Sequence, residues 1–338
     1  MREMPPVEDL GNGMWSVPVP IPGNPLGYTL VYVLESAQGP VLVDAGWEHE
    51  DSLRALTDGL AAAGTGIAEV RGVVVTHFHP DHSGLAGRVR DASGAWIAMH
   101  HADVDMVRHI RSLDPAAQSR LETGQLRAAG ASAEEIAAYT ELGPRLDPPA
   151  LPDRPLSHGD LVDLPDRKLR VVWTPGHSPG HICLHLEDGD HLFTGDHVLP
   201  RITPHIGLYP FDDASGDPLG AFLDSLAQIH DDVGSAEALP AHEHRFTGIA
   251  ARTAEIMDHH ERKLDLLAAL LGRNPATLWE LAAALPWQRG WAHLPVHARR
   301  MAASETAAHL RTLERRGRAL RRTAPGGVLE WTAPTARN

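Results

Sequence analysis

The sequence predicts an α/β protein with a helical insertion and a small C-terminal domain. Strand-like and helix-like patterns alternate over the first hundred residues. A segment from about Ala102 to Leu156 is helical in period and interrupts the strands. The last sixty residues then read helix, helix, hairpin.

The elements follow in order. "YTLVYVLES" and "GPVLVDAG" read as two strands joined by a turn at Gln38-Gly39-Pro40. "EDSLRALTDGLAAAG" places Leu53, Leu56, Leu60 and Ala61 on one helix face, and Gly64 stops it. "VRGVVVT" is a short buried strand and "AWIAMHHAD" another. After the Ala-, Arg- and Glu-rich insertion comes a Pro-rich linker, "LDPPALPDRPL". Strands resume with "LRVVWTPG", "HICLHLEDG" and "HLFTGD". A helix, "LGAFLDSLAQIHD", precedes the short segment "EALPAHEH", and a long helix runs from Ile249 to Leu271. The tail opens on a capping box, Thr277 to Glu280, and its hairpin turns at Pro325-Gly326-Gly327. The expected division is 1–255 for the main domain, with the insertion at about 102–156. A connecting helix at 256–275 leads to the small domain at 276–338.

A chain of 338 residues can bury a large core. A net charge of −14 argues against a surface that coats nucleic acid throughout. One cysteine, Cys183, allows no internal disulfide and fits a reducing, cytoplasmic location. No stretch has the apolar length of a signal peptide core or a membrane span.

The chemistry concentrates in "VVVTHFHPDHSGL". His77 and His79 are two residues apart, so extended backbone points them to one side. Pro80 bends the chain before Asp81 and His82. Neutral imidazoles and a carboxylate suit zinc and similar divalent ions. Later loops at strand ends add His177 in "TPGHSPGH", Asp196 in "FTGDH" and His242 in "LPAHEH". Any one of these histidines alone is more simply a core or surface residue; the full set is not.

These motifs, HxHxDH then H, D and H, resemble those of the metallo-β-lactamase superfamily, over about Gly11 to Ala250. Asp44 in "VLVDAG" also matches the family's early acidic position. The resemblance implies an αββα sandwich and two metal ions. His77, His79 and His177 would hold the first; Asp81, His82 and His242 the second; Asp196 would bridge them. Two Zn2+ are expected, with Mn2+ or Fe2+ suited to the same donors. A bridging water would be acidified for hydrolysis, and Asp81 would orient it. His205 is the expected substrate contact. Asp44 is expected to orient loops rather than bind metal, and Cys183 to lie in the core.

The motif pattern looks like that of glyoxalase II-type thioesterases and acyl-homoserine lactonases. The expected reaction is therefore cleavage of a thioester, lactone or ester in a small acyl substrate, with coenzyme A or a carrier protein as its carrier. The alternative is an RNA nuclease, because the tail from Arg299 to Arg322 carries eight arginines against Glu305 and Glu314. Helix, helix and hairpin is also the order of a winged helix, which fits a packing or homodimerisation module. A β-lactamase or an iron-dependent dioxygenase fits less well.

Overall fold

A computed structural model describes residues 3–142, 148–208, 216–272 and 274–334. The chain divides into two compact units. The first comprises Met1–Ser112, Leu146–Pro204 and Ser225–Ala254; the second comprises Leu113–Arg145, His205–Asp224 and Glu255–Asn338.

The first unit contains two sheets. In one, seven strands lie in chain order: β1 (Glu8–Gly11), β2 (Met14–Pro20), β3 (Tyr28–Leu34), β4 (Val41–Val43), β5 (Gly72–Val74), β6 (Trp96–His100) and β7 (Arg154–Leu156). Pairing is antiparallel through β4 and parallel from β4 to β7. The other sheet holds β8 (Leu169–Trp173), β9 (Ile182–Leu186), β10 (His191–Gly195) and β11 (Glu237–Pro240), in the order β11-β10-β9-β8.

Two strands depart from the sequence expectation. β2 contains Pro18 and Pro20, which mask a strand pattern. Its neighbour β1 pairs only with Met14 to Ser16, so both prolines lie where that outer edge needs no donor. The Pro-rich linker likewise contributes Arg154–Leu156 as edge strand β7, in register with Ala98 to His100.

The inner faces of the two sheets share one core. Leu30, Tyr32, Leu34, Val43 and Val74 meet Leu169, Val171, Ile182, Leu184 and Phe193. Tyr32 and Phe193 cross edge to face at 5.1 Å. Burying each such side chain contributes about 1.5–3 kcal/mol. Helix α1 (Glu50–Ala62) covers β2, where Gly59 lies flush on Val17; a Cβ there would sit 2.2 Å from Val17 Cγ1. The remaining helices of this region are α2 (Pro80–Ser83), α3 (Ala86–Ser93) and α4 (His101–Ser112).

The helical insertion continues with α5 (Pro115–Ala128) and α6 (Ala133–Thr140). Helices α7 (Pro218–Val233) and α8 (Ile249–Leu270) follow. The tail forms β12 (Ala276–Thr277), α9 (Leu278–Ala284), α10 (Val296–Arg315), β13 (Leu320–Thr323) and β14 (Leu329–Thr332). Its three strands make a sheet of order β12-β14-β13. The capping box at Thr277 and Glu280 forms as expected.

Candidate metal centre

The loops that carry the candidate ligands all leave the C-terminal ends of strands. Asp44 follows β4, His77 follows β5, His177 follows β8, Asp196 follows β10 and His242 follows β11. After His79 the chain turns at once. Pro80 opens the one-turn helix α2, and the amides of His82 and Ser83 each donate to the His79 carbonyl at 3.0 Å. His77 and His79 therefore precede the turn, whereas Asp81 and His82 lie on it. Gly84 closes the turn because no side chain fits there: a Cβ would lie 2.5 Å from the Pro80 carbonyl and the Glu48 amide.

All seven candidate ligands converge. Three groups have donor atoms within 4.8 Å of one another: His77, His79 and His177; His77, His82 and Asp196; Asp81, His82 and His242. Asp196 reaches both ends. Its Oδ2 lies 3.4 Å from His177 Nε2, and its Oδ1 lies 3.3 Å from His242 Nε2 and 3.6 Å from His82 Nε2. Asp81 Oδ2 lies 3.4 Å from His242 Nε2.

The outer nitrogens are fixed by other groups. His82 Nδ1 lies 2.8 Å from Asp44 Oδ2, and Asp44 Oδ1 accepts from the Thr76 amide at 2.8 Å. His242 Nδ1 donates to the Tyr28 carbonyl at 2.9 Å. Both rings therefore turn Nε2 toward the centre. His181 Nε2 accepts from the Asp196 amide at 3.1 Å, so its protonated Nδ1 donates to Thr174 Oγ1 at 2.8 Å. Asp103, from α4, joins the two histidine loops. Its Oδ2 accepts from the Phe78 amide at 2.9 Å and Ser178 Oγ at 2.7 Å; its Oδ1 accepts from the Gly180 amide at 2.6 Å.

Asp44→Asn is expected to weaken metal affinity about 10- to 100-fold, because the new amide presents a donor to His82 where a carboxylate accepted. Titration against a competing chelator measures this. Unchanged affinity would show that Asp44 does not set the His82 tautomer.

The donor set fits divalent cations. His82 Nε2, His242 Nε2 and Asp196 Oδ1 are buried and form no hydrogen bond among the described residues. Burial, followed by the neighbouring imidazoles, holds His77 well below the usual histidine range, and burial followed by His177 does the same for His79. Both are therefore neutral, as ligation requires. At the other end carboxylates prevail. Burial opposes the charge on His242, but Asp196 and Asp81 together outweigh it and push the ring up to about 10. His82 is raised likewise, against burial, chiefly by Asp44. A cation entering here displaces those protons. Metal affinity is thus expected to rise with pH from neutrality until His242 is deprotonated near pH 10, with protons released on binding. Calorimetry at pH 7.5 in buffers of different ionisation enthalpy checks this; equal heats in all buffers would refute it.

A family model described as the metallo-β-lactamase superfamily matches residues 24–244. The chain belongs to that superfamily. A metallo-β-lactamase family protein from Thermus thermophilus has a crystal structure 30% identical in sequence, with a TM-score of 0.79, covering 96% of this chain and 100% of that one. A β-lactamase domain protein from Burkholderia ambifaria is 25% identical, with a TM-score of 0.81, covering 97% of this chain and 93% of that one. Among curated relatives, the lactamase-like protein adaB of Aspergillus niger is 26% identical over 76% of this chain and 64% of its own length. An acyl-coenzyme A thioesterase of Gallus gallus is 32% identical over 50% of this chain and 57% of its own length. The chain thus spans less than two thirds of these two curated relatives.

Every ligand position read from the sequence falls in one of the three groups described above. His205 belongs to the second unit, where its Nδ1 lies 3.6 Å from Glu305 Oε2. Cys183 is buried in β9, and burial pushes its thiol up to about 12, as suits a core residue. Asp103 was the support that motif reading missed. Asp103 carried a signal: it lies four residues before Val107, on the apolar side of α4.

Proposed function

We propose that this superfamily member is a binuclear metal-dependent hydrolase that cleaves a carbonyl ester-type bond, with a thioester first and a lactone or simple ester next. The position of Asp196 supports this most directly, with one carboxylate oxygen toward His177 and the other toward His82 and His242. His77, His79 and His177 would hold one ion; Asp81, His82 and His242 the other. Zn2+ suits these donors, as do Mn2+ and Fe2+. When bound, such ions supply an acidified water and polarise a carbonyl oxygen. Asp81 is the proposed catalytic residue. Burial opposes its ionisation, but His82 and His242 together outweigh burial and keep it a carboxylate, able to accept a hydrogen bond and orient the attacking water.

The choice of a carbonyl substrate has two supports. The Gallus gallus relative is named as an acyl-coenzyme A thioesterase. In addition, much of the basic tail is already neutralised. Arg316 pairs with Glu261 at 2.8 Å, Arg318 with Asp265 at 2.8 Å and Arg322 with Glu330 at 2.7 Å. Arginines held by carboxylates contribute less to phosphate binding, so a nuclease is disfavoured. The proposed partner is a small acyl substrate on coenzyme A or a carrier protein. The order of elements from β12 to β14 supports a winged-helix-like module at 276–338, and homodimerisation is its proposed role. No helix among the described residues is long and apolar enough to cross a membrane; a cytoplasmic location is part of the proposal.

One activity panel tests the reading. The metal-loaded protein is offered acyl-coenzyme A thioesters, acyl lactones, nitrocefin and single-stranded RNA. Thioester or lactone turnover is expected to exceed the others. RNA cleavage that disappears on charge reversal of Arg315 and Arg316 would overturn it.

A further inference from the structure

The second unit contains a cavity of about 130 Å³. One face of α10, from Arg300 to Glu314, forms one wall. Leu126 and Ala129 of the α5 end, Leu278 of α9 and Trp331 of β14 complete an apolar lining. Three guanidiniums, those of Arg300, Arg311 and Arg321, share this lining with a single carboxylate, Glu314.

The charges are unevenly satisfied. Glu314 is already engaged: Oε1 accepts from Trp331 Nε1 at 2.6 Å, and Oε2 lies 3.6 Å from Arg321 Nε. Arg300 lies 3.9 Å from Glu122 and over the Tyr139 ring. Arg311 is half-buried; Glu314 and Asp217 attract its charge, but no carboxylate among the described residues lies within ion-pair distance of it. Burial, then the charge of Arg321, pulls its guanidinium below its ordinary value. A carboxylate bound in the cavity would give this guanidinium a direct charge-assisted partner.

We propose that this cavity binds an amphipathic anion, a short apolar chain ending in a carboxylate, with the chain against Leu126, Leu278 and Trp331 and the carboxylate on Arg311. The volume fits a buried portion of about six carbons, because a cavity of comparable size accommodates benzene. Guanidinium and carboxylate make paired, charge-assisted hydrogen bonds, which gives Arg311 a reason to stay unpaired within the chain. The inference rests on the second unit alone and not on the reading of the metal centre.

Hexanoate is the probe, followed by NMR titration of the metal-loaded full chain. Saturable one-to-one binding is expected, with hexanol at least about tenfold weaker because it lacks the charge. Arg311→Gln should weaken hexanoate about tenfold, and Ala307→Phe, which fills the cavity, should block it. Asp196→Asn should leave hexanoate binding intact, which excludes capture of the carboxylate at the metal centre. The proposal is overturned by the absence of saturable binding, by equal affinity for hexanol, by full affinity in Arg311→Gln, or by loss of binding in Asp196→Asn.

Discussion

Asp196→Ala is expected to lower kcat/KM by about three orders of magnitude or more, about 4 kcal/mol of transition-state stabilisation, while the protein remains folded. The geometry sets that expectation. Asp196 is the one candidate ligand whose two oxygens face both groups, at 3.4 Å from His177 and 3.3 Å from His242. Without it neither group keeps its shared anion, so the metal content should fall from two equivalents toward one. Folding survives because the backbone amide of residue 196, not its side chain, makes the contact with His181. Asp196 is also the leading opponent of burial in raising His242. Its removal therefore lets His242 return toward neutrality, and no unpaired charge is stranded in the site. Circular dichroism, elemental analysis and steady-state kinetics on the same preparation provide the check. A folded Asp196→Ala protein with full activity would sink the binuclear mechanism.

The contrast between what the chain announces and what it conceals has a physical cause. The candidate ligands are legible because they share a local pattern: each follows a strand, and four of them share one loop with a proline at its bend. The sandwich core is legible for the same reason, since Tyr28 to Leu34 and Ile182 to Leu186 are short apolar runs bounded by turns. Supports are different. His242 is oriented by a backbone carbonyl at Tyr28, and every residue has such a carbonyl, so no side chain advertises it. The arginine tail shows the converse. Its charge is plain in the sequence, but its neutralising partners lie far away in the chain. Arg316 finds Glu261, and Arg299 finds Glu135, 164 residues earlier. A charge count alone therefore does not show which of these arginines are paired.

Asp103 is the strongest case of a concealed support, and replacing it should be the most damaging change outside the ligands. Its carboxylate accepts from Phe78, which lies between His77 and His79, and from Ser178 and Gly180, which follow His177. Asp103→Ala leaves three buried donors unmet, at about 1–3 kcal/mol each before relaxation, so a loss of several kcal/mol in unfolding free energy is expected. It should also weaken metal binding, because the two loops lose their common anchor. Asp103→Asn separates charge from shape. Burial pushes the wild-type carboxyl up to about 6, and the three donors pull it back only in part. A folded pKa above the unfolded value means that this group's stabilising contribution is complete below about pH 4 and is lost as pH rises through about 6. The asparagine has no such slope. Between pH 4 and pH 7 the wild type should therefore lose on the order of 3 kcal/mol relative to Asp103→Asn, whatever the absolute difference between them. Urea unfolding across that range measures the slope directly. Parallel stability curves for the two proteins would show that Asp103 does not titrate there. Full metal affinity in Asp103→Ala would show that the anchor serves the fold and not the site.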